Sequence, residues 1–110
     1  MNIYDTANNL AHEIKESSEY KEYAEAKNKI SNNPDKNIKL KEFEKLRYET
    51  QIAVMQGKEV DSEKTKEMQE QYAKLIEDSE IKKYFETEIK FNVMMADVNK
   101  ILAEAVKDVL

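Results

Sequence analysis

The chain has 110 residues, 37% of them charged, with a formal net charge of −5 and a sequence pI near 5.0. One Gly, one Pro and no Cys exclude a disulfide-stabilised secreted fold, a thiolate-held metal or iron–sulfur centre, and a glycine-rich phosphate loop. The acidic balance, with Arg47 the single arginine among 18 basic residues, disfavours direct nucleic-acid binding and removes most bidentate phosphate grips.

A length near the modal domain size predicts one domain over residues 1–110. Scarce Gly and Pro starve sheets and tight turns, so the expected class is all-α: long antiparallel helices in a bundle completed by homo-oligomerisation. The first predicted helix carries Ile3, Ala7, Leu10, Ala11 and Ile14 on one face, with Asp5 near its start. It weakens at Ser17 and Ser18, either of which can cap a second helix bearing Tyr20, Tyr23, Ala24 and Ile30. Serine does not force a break, so one continuous helix stays open as the alternative. In SNNPDKN, Asn33 is a good N-cap and Pro34 suits the first helical position, where its missing N–H leaves nothing unpaired. The third helix therefore runs from Pro34 to about Gln56. Gly57, after the apolar run Ile52, Ala53, Val54 and Met55, reads as the C′ residue that ends it.

Asp61 or Ser62 then announces a fourth helix with Met68, Tyr72, Leu75 and Ile76. Asp78 or Ser79 caps a fifth that continues almost to Leu110. At 1.5 Å per residue that last helix is roughly 45 Å long. A 100-residue domain with a radius of gyration near 13 Å is only about 26 Å across. A faint echo relates the two helix–cap–helix joints around Asn33–Pro34 and Asp78–Ser79, but its spacing is too uneven for a repeat.

Two helices are apolar over too much of their circumference for a single core. Near the end of the third, Tyr48, Ile52 and Met55 extend the arc set by Phe43, Leu46, Ala53 and Val54. On the fifth, Phe91, Met94, Met95, Val98, Ile101, Leu102, Ala105, Val106 and Val109 fill an arc of roughly 140°, with Val93, Ala96 and Ala103 outside it, against a little over 100° for an ordinary amphipathic helix. The spacing Phe91, Met94, Val98, Ile101, Ala105 is also heptad-like, as in a helix–helix seam. The predicted interface with another subunit is therefore Ile52, Val54 and Met55 together with this face of the fifth helix. The alternative is that the helices simply pack on one another within one chain. Met55, Met94 and Met95 serve as adaptable packing rather than as cofactor ligands.

Residues for catalysis are sparse. The single histidine, His12, lies in HEIKE, where zinc would require a second His four residues on. Position 9 is Asn9, so a di-iron E-x-x-H pair is absent too. No G-x-S-x-G or Cys–His pair occurs. Acidic pairs such as Glu63/Glu67 and Glu77/Glu80 alternate with lysines at helical spacing, as on a solvated face. The expectation is a non-enzyme without metal or cofactor. MNIYDTANNLAHEIKE places acids and asparagines where a signal peptide needs an uninterrupted apolar region, and no apolar run approaches the ~18–20 residues of a membrane span. A cytoplasmic protein is expected, without membrane contact.

The elements NLAHEIKESSEYKEYAEAKNKI, NNPDKNIKLKEFEKLRYETQ, MQGKEVDSE and FNVMMADVNKILAEAV resemble, in order, the YlbF/YmcA family of small helical bacterial proteins, and its YheA-like branch most. The resemblance covers essentially the whole chain and implies a non-enzymatic, all-helical protein that self-associates. In that family it further implies regulatory adaptors affecting competence, sporulation and biofilm formation in Gram-positive bacteria, linked to ribonuclease Y. Some members hold iron–sulfur clusters through cysteines, which this chain lacks, so that property does not carry over. The expected role is thus a regulatory adaptor that works through self-association and contacts with another protein. A purely structural oligomer is one alternative. The other is an RNA-binding accessory using Lys15, Lys21, Lys27, Lys29 and the lysines of positions 36–41.

Overall fold

The computed structural model describes residues 2–110, which form five α-helices and no strand: α1 Ile3–Glu16, α2 Ser18–Ser31, α3 Pro34–Met55, α4 Ser62–Leu75 and α5 Ser79–Val106. Each boundary has a local chemical cause. The Asn2 side chain accepts from the Asp5 N–H at 2.8 Å and caps α1. Between α1 and α2 the backbone breaks at Ser17, whose ψ of 152° is extended. The Ser17 hydroxyl closes one helix and opens the next. It donates to the Ile14 carbonyl at 2.5 Å and accepts from the Tyr20 N–H at 3.2 Å. α1 and α2 are therefore separate helices.

Asn33 caps α3 by accepting from the Lys36 N–H, and Pro34 opens the helix. At the other end Gly57 takes a φ of +71°, while its N–H bonds to the Val54 carbonyl and the Lys58 N–H reaches back to the Ala53 carbonyl. That pair of bonds is a Schellman motif, which requires a left-handed residue at C′. A Cβ built on Gly57 meets nothing within 4 Å, so substitution acts through backbone strain alone. Gly57→Ala should lower stability by about 1 kcal/mol and Gly57→Val by somewhat more, read as reduced thermal midpoints with an unchanged helical spectrum. Asp61 caps α4 through the Glu63 N–H, and Asp78 caps α5 through the N–H groups of Glu80 and Ile81.

The chain divides into two compact units, one of residues 28–83 and one formed by the segments up to Lys27 and from Tyr84 onward. In the 28–83 unit α3 packs on α4. Lys39 and Glu42 face Gln71, Lys74 and Leu75 across a small groove, and the Phe43 and Tyr72 rings lie 6.0 Å apart. The first half of α3 thus meets the end of α4, which the short connection from Met55 to Ser62 allows only if the two helices run antiparallel. Ile30, Leu40, Phe43, Leu75 and Ile81 are the buried apolar residues of this unit.

Lys36, in the first turn of α3, contacts the first turn of α5. Its ammonium lies 2.9 Å from Asp78 and 2.5 Å from Glu80. The hydrogen bond from Lys36 is the main influence holding the Asp78 carboxyl below its ordinary value of 3.8, and the Ile81 and Glu80 N–H groups add to it. A carboxylate with a depressed folded pKa stabilises the fold in full above its unfolded value. That contribution disappears as the pH falls through the lower folded value. Asp78→Asn should therefore reduce the thermal midpoint at neutral pH and flatten the loss of stability on acidification below about pH 4. An acid limb as steep as that of the unaltered protein would show that Asp78 contributes nothing to it.

In the other unit α2 runs antiparallel to α5. The Tyr23 ring lies 5.5 Å from Tyr84 and 5.4 Å from Phe91, and Tyr20 meets Phe91 edge-on at 6.1 Å. The Tyr23 hydroxyl donates to Glu88 at 3.4 Å. Ala26, Tyr84, Phe85 and Thr87 are buried here, and the Thr87 hydroxyl is satisfied by the Tyr84 carbonyl at 2.9 Å.

Candidate functional site

α5 carries one apolar stripe along its length, and its environment changes from end to end. Tyr84 and Thr87 are buried, and Phe91, Met94, Met95 and Val98 are half-buried. Beyond Val98 every residue is exposed, Ile101 at 68% and Leu102 at 53%. The heptad spacing continues through Ala105, so the change reflects missing neighbours rather than a change of residue type. The charged residues of this segment lie away from the stripe, where Lys107 pairs with Glu104 at 2.6 Å.

α1 repeats the pattern. Ile3, Ala7, Leu10, Ala11 and Ile14 share one face, of which Leu10 and Ile14 are half-buried, while Ala7 and Ala11 are exposed and Ile3 is 77% exposed. Its attachment to α2 includes an exposed Lys21–Glu16 ion pair at 3.1 Å across the Ser17 joint. Exposed pairs of this kind contribute little. Between α2 and α5 lies an open groove of about 600 Å³, with Ile89, Val93 and Ile101 on its apolar wall and Glu19, Glu22, Lys90 and Asp97 on its rim. The Ser18 hydroxyl holds the Glu19 carboxyl below its ordinary value, with further help from the Glu19 N–H and the Lys90 charge.

The predicted interface residues fall into two groups. Phe91, Met94, Met95, Val98, Ile101, Leu102 and Ala105 are brought onto one stripe. Of these, Phe91 is also held by the chain itself, against Tyr20 and Tyr23. Ile52, Val54 and Met55 belong to the 28–83 unit, where Ile52 is half-buried and Val54 and Met55 are exposed. Sequence reasoning overlooked the exposure of α1. Its apolar face was legible, but periodicity does not distinguish a face buried in its own core from one covered only in part.

Among the described residues no three His, Cys, Asp or Glu side chains are grouped to hold a metal ion, and His12 is exposed. No helix among them is long and apolar enough to cross a membrane. Of the lysines suited to an RNA surface, Lys21 and Lys36 are already ion-paired with carboxylates.

Known proteins similar to this chain match nearly its whole length. A UPF0342 protein of Symbiobacterium thermophilum is 38% identical over 104 residues, covering 94% of this chain and 93% of the relative. One from Caldicellulosiruptor saccharolyticus is 34% identical over 105 residues, with 96% and 88% covered. One from Halothermothrix orenii is 38% identical over 103 residues, with 93% and 86% covered. The profile of a family described as control of competence regulator ComK, YlbF/YmcA, matches residues 3–107. With all five helices inside that match, the chain belongs to the YlbF/YmcA family.

Proposed function

We propose that this is a non-enzymatic cytoplasmic regulatory adaptor that self-associates through helix faces and acts by holding other proteins rather than by transforming a substrate. The observation that carries this reading is the apolar stripe of α5, which is covered near Tyr84 and Thr87 and bare from Ile101 onward. A helix that stays apolar where its own chain offers no neighbour needs another chain to bury it. The family description, naming control of a competence regulator, supports regulation over catalysis.

Light scattering at micromolar concentration should give a particle of at least twice 12.9 kDa. A particle of 12.9 kDa would rule out self-association. Affinity capture from native cytoplasm tests the adaptor role: a second protein retained in stoichiometric amount is expected. Recovery of the protein alone would leave a purely structural oligomer.

A further inference from the structure

We propose that the groove between α2 and α5 docks a basic amphipathic helix of a partner protein, with its apolar side chains on Ile89, Val93 and Ile101 and its cations over Glu19, Glu22 and Asp97. This rests on the adaptor reading and adds where the partner sits and what chemistry it carries. Ile89, Val93, Asp97 and Ile101 follow at intervals of four residues, so they make one ridge of α5 about 18 Å long. Such i, i+4 ridges are the rows that a second helix packs against. Its three apolar members are 59%, 56% and 68% exposed, and the half-buried Met94 and Val98 line the groove beside them.

This ridge is not the face by which α5 holds its own chain. At 100° per residue Ile89 and Val93 point away from Tyr84 and Phe91, whose rings pack on Tyr23 of α2. Charge then selects the occupant. Glu19 and Glu22 stand on the α2 side and Asp97 interrupts the ridge, against the single ammonium of Lys90. The Ser18 hydroxyl, 2.8 Å from the Glu19 carboxylate, favours its charged form. An apolar row among carboxylates, on a chain of net charge −5, attracts a helix flanked by lysine or arginine and repels an acidic one. A second copy is a poor complement, because α1 carries Asp5, Glu13 and Glu16 against Lys15. Laying an apolar helical face into an apolar groove is a recurrent mode of peptide recognition, and the charged rim sets which helix enters.

The probe is a fluorescein-labelled peptide of about 18 residues, with leucines at i, i+3, i+4 and i+7 and lysines between them. Its controls are a glutamate-for-lysine version and a scramble of the same composition. Fluorescence anisotropy should show the lysine helix binding at least about 10-fold more tightly than either control. Val93→Lys should weaken it about 10-fold, while Val54→Lys, at an equally exposed apolar residue of the other unit, leaves it unchanged. Glu22→Lys combined with Asp97→Lys should weaken the lysine helix and strengthen the glutamate one. All these positions are exposed, and circular dichroism confirms that each variant keeps its helices.

Equal binding of the lysine helix and its scramble, or binding untouched by Val93→Lys, overturns the proposal. Loss of self-association in Val93→Lys overturns it too and gives the groove to a second copy. Affinity capture with the unaltered protein and Val93→Lys side by side separates the groove from the adaptor reading beneath it. A partner retained equally by both overturns the groove and leaves the adaptor standing, whereas no partner on either removes the adaptor reading and the docking with it.

Discussion

Phe43→Ala should lower stability by about 3–5 kcal/mol, a large share of the 5–15 kcal/mol that holds a typical domain together. Phe43 is 4% exposed. Its ring packs 6.0 Å from Tyr72 across the α3–α4 pair and carries the Arg47 guanidinium 5.7 Å above its centroid. Truncation removes the transfer energy of the ring and opens a cavity in a unit whose other buried apolar residues include Leu40 and Leu75. It also strips Arg47 of its aromatic partner. Equilibrium urea unfolding would measure the loss. Phe43→Leu should recover much of it, because it retains volume and apolarity. A change below about 1 kcal/mol for Phe43→Ala would mean that α3 and α4 are not held by this residue.

Tyr84→Ala should be comparably damaging, about 3–5 kcal/mol, for reasons confined to the other unit. Tyr84 is 3% exposed and lies 5.5 Å from both Tyr23 and Phe85. Its loss would leave Tyr23 only the Phe91 ring and the Glu88 carboxylate on α5 and loosen α2 from α5. Tyr84→Phe separates ring from hydroxyl. The Tyr84 and Tyr23 hydroxyl oxygens are 3.5 Å apart, a long hydrogen bond, so its removal should shift stability by under about 1 kcal/mol. A Tyr84→Phe loss as large as that of Tyr84→Ala would place the stabilisation in the hydroxyl network. Hydrogen exchange on the Tyr84→Ala variant should show α2 amides losing protection before those of α3 and α4.

Helix boundaries were readable because their chemistry is local. Asn33 before Pro34, Gly57 after an apolar run, and Asp61 and Asp78 ahead of charged first turns each act on backbone groups within a few residues. Ser17 was the ambiguous case. Serine is compatible with both a continuous helix and a cap, and the extended ψ at Ser17 settled it with two short-range bonds to one hydroxyl. The broad apolar arcs of α3 and α5 were equally legible, since they are properties of each helix alone.

The family assignment followed from the ordered elements, and the profile match over residues 3–107 agrees with it. Partnerships across the chain were another matter. Lys36 meets Asp78 and Glu80 some forty residues away. Tyr23 meets Tyr84 and Glu88 from more than sixty residues away. Nothing in helical periodicity selects one lysine among many, or one tyrosine among six, for such contacts. Burial of Thr87 was invisible for the same reason: its hydroxyl is tolerated inside only because the Tyr84 carbonyl accepts from it.

By itself the sequence determined an all-helical chain, the places where its helices stop, and the excess of apolar surface on α5, because propensity, capping and amphipathicity act over one to four residues. Only the tertiary structure decided which apolar faces are covered. It placed Tyr84 and Thr87 against neighbours and left Ile3, Ile101 and Leu102 bare on stripes of the same chemical character. Burial is a relation between segments distant in the chain, and a stripe that meets its own core looks, residue by residue, like one that meets another molecule.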